Sequence, residues 1–212
     1  MHKQSYLVCS AALLFAAAAC SDSTGLKSSI NQADANQLAA DFDGVASFSS
    51  ADFGPGLSFS ISSDGSGSSA AVSSAPVPIN TTFSITRQCP QGGQTAFAGS
   101  VVGTGDRLAH SLTLDATATR TDTNCAFNTR DGVLTVNGNP NIAYTGHLNI
   151  VNAVPVGLQT QTHKGSLTWS RTGGSGTCDV DITSQYDPST KTLTIKGSFC
   201  GHVIDITKTK SA

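Results

Sequence analysis

Apolar and polar residues alternate with a period of two through most of the chain after Thr81. Residues 111–119 (SLTLDATAT) and 191–199 (KTLTIKGSF) place an apolar or small residue at every second position, between Thr, Asp, Lys and Ser. Successive side chains of a strand point to opposite faces of a sheet, so this pattern predicts strands with one buried and one solvated face. Leu193 and Ile195 are then expected on the core side.

Short turn sequences separate the alternating segments. PQGG, GTGD, RDG, NGNPN, TGGSG and DPSTK are typical of hairpin turns, and the gaps are too short for the crossover helices that parallel strands need. The sequence therefore predicts a mainly β domain over residues 81–208. We expect an antiparallel meander of about nine strands that closes as a barrel or folds as a sandwich.

One segment before the β domain has helical periodicity. Over residues 30–48, Ala35, Leu38 and Phe42 recur at helical spacing, which predicts an amphipathic helix lying across an open end or face of the sheet. Asp41 and Asp43 are expected on its polar side, pointing in different directions. Residues 49–80 are rich in Gly and Ser and are predicted to be a loop or linker.

The N-terminal residues have the organisation of an export signal. Residues 1–6 are polar with a basic start, and residues 7–19 form an apolar stretch too short to span a bilayer. Small residues at 17–19 directly precede Cys20. This arrangement resembles the lipobox of bacterial lipoprotein precursors, in which an obligatory cysteine follows small residues.

The resemblance implies a cellular location and a mode of membrane attachment. Residues 1–19 would be a signal peptide cleaved before Cys20, whose sulfur receives a diacylglyceryl group and whose new amino terminus is acylated. Residues 20–29 would then be a lipid-anchored tether, and two or more acyl chains give stable membrane attachment. Ser21 after the cysteine resembles the pattern of lipoproteins sent to the outer membrane, with the periplasmic or surface face left open. The alternative is an ordinary signal peptide that leaves Cys20 as a free thiol.

The number of cysteines favours disulfides in the exported domain. The chain has six cysteines. Removal of Cys9 with the signal peptide and lipidation of Cys20 leave an even number, as expected for disulfide pairing in an oxidising compartment.

The hairpin turn DPSTK suggests one pair. If Tyr186 faces Lys191, then Cys178 faces Phe199, and a one-residue bulge brings Cys178 opposite Cys200.

The second predicted pair is Cys89–Cys125, by elimination and because both residues come at the same end of their strands. A metal site built from the four thiols is the alternative. It is disfavoured because the chain has no C-x-x-C motif and an exported location opposes it.

The charge composition limits the classes of partner that the protein is expected to bind. The chain has no Glu, only 12 Lys and Arg, and a formal net charge of −2 without a basic cluster. Such a chain lacks the electrostatic footprint of a nucleic-acid-binding protein. Nucleic acid is therefore not an expected partner. The lipobox resemblance implies the membrane, reached through the lipid on Cys20, as a partner, and a further envelope protein or an apolar ligand is left open.

No catalytic motif stands out. The histidines at 110, 147, 163 and 202 are scattered through strand segments and are expected to be surface or hydrogen-bonding residues. Asp179 and Asp181 share one strand face, but two carboxylates supply too few ligands for Ca²⁺, which takes about six to eight oxygens. We predict no catalytic residue, no metal site and no cofactor.

The sequence thus favours a non-enzymatic, lipid-anchored envelope protein with a structural or interaction role. The alternative is a small carrier that binds an apolar ligand inside the β domain. A hydrolase built on Ser or Asp residues that no motif marks is a third hypothesis. A core filled with side chains favours the first, whereas an apolar cavity of roughly several hundred Å³ favours the carrier.

Overall fold

The fold consists of one helix and a long antiparallel sheet. A computed structural model describes residues 30–46, 76–106, 109–152 and 154–209. The predicted signal peptide, the tether with Cys20, and most of the predicted linker lie outside these ranges. The elements are α1 (Gln32–Ala46), β1 (Val77–Gln88), β2 (Gln94–Asp106), β3 (Ser111–Thr123), β4 (Cys125–Thr129), β5 (Gly132–Val151), β6 (Val154–Pro155), β7 (Gln159–Arg171), β8 (Gly174–Asp187), β9 (Thr192–Phe199) and β10 (His202–Thr209).

All ten strands belong to a single sheet. The strands pair in the order β1-β2-β3-β5-β7-β8-β9-β10, while β4 and β6 each pair with β5. Every pairing is antiparallel. The meander predicted from the short turns is therefore confirmed.

Two details of the predicted architecture are refined. In the described ranges no ladder joins β1 to β10, so of the two predicted forms the closed barrel is excluded, whereas a sandwich or open sheet agrees with the pairing. The first strand begins at Val77, inside the 49–80 segment that was predicted to be a loop or linker. The turn signals identify neighbouring strands, but they carry no information on whether the two end strands meet.

The alternating pattern selects the face that is buried. On β3, Leu114, Ala116 and Ala118 are buried, whereas Thr117 and Thr119 are exposed. We call the buried side the inner face and the solvated side the outer face. Ile195 is also fully buried and Leu193 partly so, as the sequence predicted.

Helix α1 packs on the inner face. Asn31 begins it, with its side-chain Oδ1 accepting a hydrogen bond from the Asp34 N–H at 2.9 Å. Leu38 and Phe42 are 1 % exposed and belong to the main hydrophobic core. The prediction that Asp43 lies on the polar side is wrong, because its side chain is fully buried against the sheet.

Two disulfides join the predicted partners. Cys89 is bonded to Cys125, and Cys178 is bonded to Cys200. Neither pair is available as a metal-binding set of thiols.

The register assumed for the second disulfide is wrong by two residues. Tyr186 faces Leu193 and Val180 faces Phe199. Cys200 lies in the turn after β9 with a φ of 52°, and its N–H donates to the Asp179 carbonyl. The turn, and not a bulge within the ladder, brings Cys200 to Cys178.

Within the ranges that the structure describes, no helix has the length and apolar character needed to cross a bilayer.

Candidate functional site

A set of polar side chains is buried between the C-terminal half of α1 and the inner face. Strand register places them next to one another, since Tyr144 pairs with His163 and Gln161 pairs with Ser184. We call this set the Asp43 cluster. Its members are Asp43, Arg120, Asp122, Tyr144, Gln161, His163 and Ser184.

Asp43 is the centre of the cluster. Its Oδ1 accepts hydrogen bonds from the Ser184 hydroxyl at 2.5 Å and from the Gln161 amide at 2.9 Å. Burial raises the pKa of the Asp43 carboxyl, and the hydrogen bond from Ser184 and the charge of Arg120 only partly oppose this rise. The helix thus contributes a buried carboxyl group held by two strands.

Arg120 links the sheet to the helix. Its Nε and Nη2 both donate to Oδ1 of Asp122 at 3.0 Å, and Nε also donates to Oδ2 at 3.1 Å. Its Nη1 donates to the Phe42 carbonyl at 2.8 Å. The guanidinium carbon also lies 3.2 Å from the centre of the Phe42 ring. Burial lowers the pKa of Arg120, and Asp122 opposes this shift. The planar fork therefore holds a helix carbonyl and a strand carboxylate together.

His163 lies at the aromatic side of the cluster. Its ring is 5.3 Å from those of Phe42 and Tyr144, and it is fully buried. Neither ring nitrogen has a hydrogen-bond partner among the described residues. Burial, and then the charge of Arg120, lower the pKa of His163 well below its ordinary value of 6.5.

This arrangement does not assemble the Ser–His pair of a hydrolase. Ser184 donates to Asp43, and His163 makes no hydrogen bond with a hydroxyl or carboxyl group within the described ranges. Nucleophilic catalysis of the Ser–His type needs the base within hydrogen-bond reach of the hydroxyl. His163 also differs from the sequence-based expectation of a surface or hydrogen-bonding histidine.

A second buried ion pair lies at the other end of α1. The Asp34 carboxylate is fully buried and accepts from Arg171 Nη1 at 2.7 Å and from the Arg130 N–H at 3.1 Å. Asn31 donates to the same carboxylate at 3.1 Å. Both ends of the helix are therefore fixed to strands by buried charges.

A shallow groove of about 430 Å³ lies on the outer face. It forms where the register of β5 shifts between Gly138 and Ile142, at the cis peptide bond before Pro140. Most of its side chains are polar, and Lys164 bonds Asp181 across it at 2.8 Å. The groove is lined by Asn139, Asn141, Lys164, Gly165, Ser166, Asp179, Val180 and Asp181.

The residues singled out from the sequence occupy different places. The four cysteines of the domain form disulfides, whereas Cys20 lies outside the described residues. Asp179 and Asp181 both line the outer groove, and Asp181 is paired with Lys164. No group of three or more His, Cys, Asp or Glu side chains suited to a metal ion occurs in the part of the chain that the structure describes.

Sequence reasoning missed the Asp43 cluster, although β3 carried a signal for it. The inward period-two positions of that strand continue past Ala118 to Arg120 and Asp122. Two opposite charges at successive core positions indicate a buried ion pair, since unpaired charges are rarely buried.

Comparisons with known proteins found no match. No protein-family profile matches the chain, and no curated protein or solved structure is significantly similar to it.

Proposed function

We propose that the protein is a non-enzymatic domain of the bacterial cell envelope, held at the outer membrane by lipid on Cys20, with a structural or interaction role. The observation that carries this proposal is the burial of Ile30 in the core, ten residues after Cys20 in the sequence. Ile30 is 2 % exposed, and its carbonyl accepts a hydrogen bond from His202 Nε2 at 2.6 Å.

The attachment of α1 to the sheet supports a role of this helix in membrane anchoring. Buried charges attach the helix at its start, through Asp34 and Arg171, and near its end, through Arg120 and the Phe42 carbonyl. A domain attached to a membrane through its first helix needs that helix to stay bound to the remainder of the fold. The contacts of α1 meet this need.

The outer face supports an interaction role. Directly opposed threonines from β3, β5, β7 and β8 form a row of hydroxyl groups across it, with Thr145 and Thr162 in contact at 2.6 Å. The groove beside this row adds amide, ammonium and carboxylate groups. A polar partner in the envelope fits such a surface better than an apolar one. The members of the row are Thr117, Thr145, Thr162 and Thr183.

The carrier hypothesis has less support. An apolar ligand inside the β domain would need the inner face, and Leu38, Phe42 and Ala46 of α1 are buried there. The groove of about 430 Å³ is open to solvent and lies on the outer face, outside the β domain's core. These features favour the structural or interaction role.

Membrane fractionation tests the anchor. Cys20→Ala should move the protein from the membrane fraction to the soluble fraction, because the variant has no sulfur to acylate. Cys9→Ala is the matched control, since the predicted signal peptide that contains Cys9 is removed. Retention of Cys20→Ala in washed membranes, or loss of both variants from them, would contradict the proposal.

A further inference from the structure

Two side chains of the Asp43 cluster are held together in a way that suits a reaction between them. Gln161 on β7 and Ser184 on β8 are directly opposed in the sheet. Ser184 is 2 % exposed, and both side chains donate to the same atom, Oδ1 of Asp43. A buried hydroxyl group and a partly buried carboxamide thus share one carboxylate.

A third side chain donates a hydrogen bond to the carboxamide oxygen. The Tyr144 hydroxyl donates to Gln161 Oε1 at 3.3 Å. Burial raises the pKa of Tyr144, so its proton stays available for this hydrogen bond. A donor aimed at a carbonyl oxygen is what an acyl-transfer reaction requires, because negative charge develops on that oxygen.

The neighbouring strand is shaped to admit the tyrosine hydroxyl. Gly146 is the β5 residue opposite Gln161, and a Cβ atom at this position would lie 2.6 Å from the Tyr144 hydroxyl oxygen. Any other residue would displace the ring from its place beside Gln161.

We propose that Ser184 and Gln161 become joined by an intramolecular ester bond, formed with the release of ammonia. The Ser184 Oγ attacks the side-chain carbonyl carbon of Gln161, while its proton passes to the Asp43 carboxylate. The electron pair moves onto Oε1, where the Tyr144 hydroxyl stabilises it.

The second half of the reaction restores Asp43. The carbonyl re-forms, the bond from carbon to Nε2 breaks, and the Asp43 carboxylic acid returns its proton to the departing nitrogen. The products are one ester, one ammonia molecule and an unchanged carboxylate, so the step needs no oxidant or co-reactant. Asp43 is suited to this proton transfer because its pKa is raised, which makes it a stronger base than an exposed carboxylate.

The bond would complete a series of covalent links in the domain. The ester would join β7 to β8, and the Cys178–Cys200 disulfide already joins β8 to the turn after β9. The burial of Ser184 limits access of water to the ester. Such a link would help the domain to keep its fold at the location in the cell envelope that the proposed function gives it.

Peptide mapping of the mature full-length protein tests the proposal. After reduction of the disulfides, trypsin cleaves the chain into peptides that include Asp131–Lys164, with Gln161, and Thr172–Lys191, with Ser184. We expect these two peptides to be found joined, with a mass about 17 Da below their sum because ammonia is lost. Hydroxylamine, which cleaves esters, should separate them.

Single variants test the role of each side chain in forming the ester. Ser184→Ala should yield two separate peptides, and Asp43→Asn and Tyr144→Phe should form the joined species more slowly. Gln185→Ala, which alters the exposed neighbour of Ser184, is the matched control and should remain fully joined. The cooperative thermal transition of each variant establishes that it is folded.

Other outcomes overturn the ester. Unmodified separate peptides from the folded wild-type protein would show that no bond forms. A product about 18 Da lighter than the sum of the Asp43 and Ser184 peptides would mean that water is lost between those two residues instead.

Discussion

Individual buried charges in this protein are satisfied by several partners each. Arg120 contacts Asp122, the Phe42 carbonyl and the Phe42 ring, and no part of its side chain is exposed. Asp34 is satisfied by a guanidinium, a backbone N–H and an amide. Buried ion pairs of this kind add little net stability, but the loss of one partner is costly because the other remains buried and uncompensated.

The Arg120–Asp122 pair allows this asymmetry to be measured. Arg120→Met should lower the free energy of unfolding by about 3–5 kcal/mol, since it leaves the Asp122 carboxylate buried without its cation. The double variant Arg120→Met/Asp122→Leu should be more stable than Arg120→Met alone. Urea denaturation of the wild type, both single variants and the double variant gives the coupling. Equal losses from the single and double variants would show that Asp122 does not depend on Arg120.

The lowered pKa of His163 predicts that the stability of the fold depends on pH. Its pKa is lowered in the folded protein, so below about pH 6.5 the unfolded chain binds a proton that the folded protein resists. Stability should therefore fall as the pH falls through this range, by at most about 1.4 kcal/mol per pH unit from this one group. The raised pKa of Asp43 acts in the opposite direction, because the folded protein takes up that proton more readily.

Comparison with a variant isolates the histidine. His163→Phe keeps a ring between Phe42 and Tyr144 and removes the titration, so its stability should fall less than that of the wild type between about pH 7.5 and 5.5. His147→Gln is the control, because His147 lies on the solvated side beside Asp115. Parallel pH profiles for the wild type and His163→Phe would contradict the prediction.

At the scale of elements, α1 and the sheet depend on each other. The helix buries Ala35, Leu38, Ala39 and Phe42 in the same hydrophobic core as the inner-face residues of the sheet. Its C-terminal carbonyls are satisfied by arginines from the sheet, with Arg87 Nη1 donating to the Val45 carbonyl at 2.8 Å and Arg120 to that of Phe42. The contacts that satisfy the last carbonyls of the helix are therefore also contacts between the helix and the sheet.

Phe42 is the largest apolar contribution of the helix. Phe42→Ala should lower the free energy of unfolding by about 3–5 kcal/mol, because it leaves a cavity beside Phe199 and His163 and removes the ring that contacts Arg120. Gln37→Ala, on the exposed side of α1, should change stability by about 0.5 kcal/mol or less. Chemical denaturation of both variants is the measurement. A small effect of Phe42→Ala would mean that the helix is dispensable.

The sequence was most informative where one short-range pattern decides the structure. Period-two alternation predicted which side of β3 is buried, and the turn sequences predicted antiparallel neighbours. The same reasoning placed Asp43 on the wrong side of α1, because helical periodicity treats any Asp as solvent-facing. Its partners Gln161 and Ser184 lie more than a hundred residues away in the chain. Whether β1 meets β10 likewise depends on the curvature of the entire sheet.

At the scale of the molecule, the domain consists of two parts joined by residues 47–75. The contacts between α1 and the sheet do not require that this connection be continuous. They comprise the buried pair Asp34–Arg171, the hydrogen bonds of Asp43, the Arg120 contacts and a shared hydrophobic core. A helix of 15 residues is marginal in water by itself, so α1 owes its stability to these contacts.

Cleavage of the connection therefore should not separate the two parts. A specific protease site inserted after Gly67, followed by digestion of the purified protein, should leave the fragment with α1 bound to the fragment with the sheet in size-exclusion chromatography under native conditions. Phe42→Ala and Arg171→Met should each promote dissociation of the cleaved protein, since they remove apolar and ionic contacts of the helix. Gln37→Ala provides the control that should stay associated. Immediate separation of the wild-type fragments would show that the connection, and not the interface, holds α1 on the sheet. The proposal that the domain is anchored through this helix would then lose its physical basis.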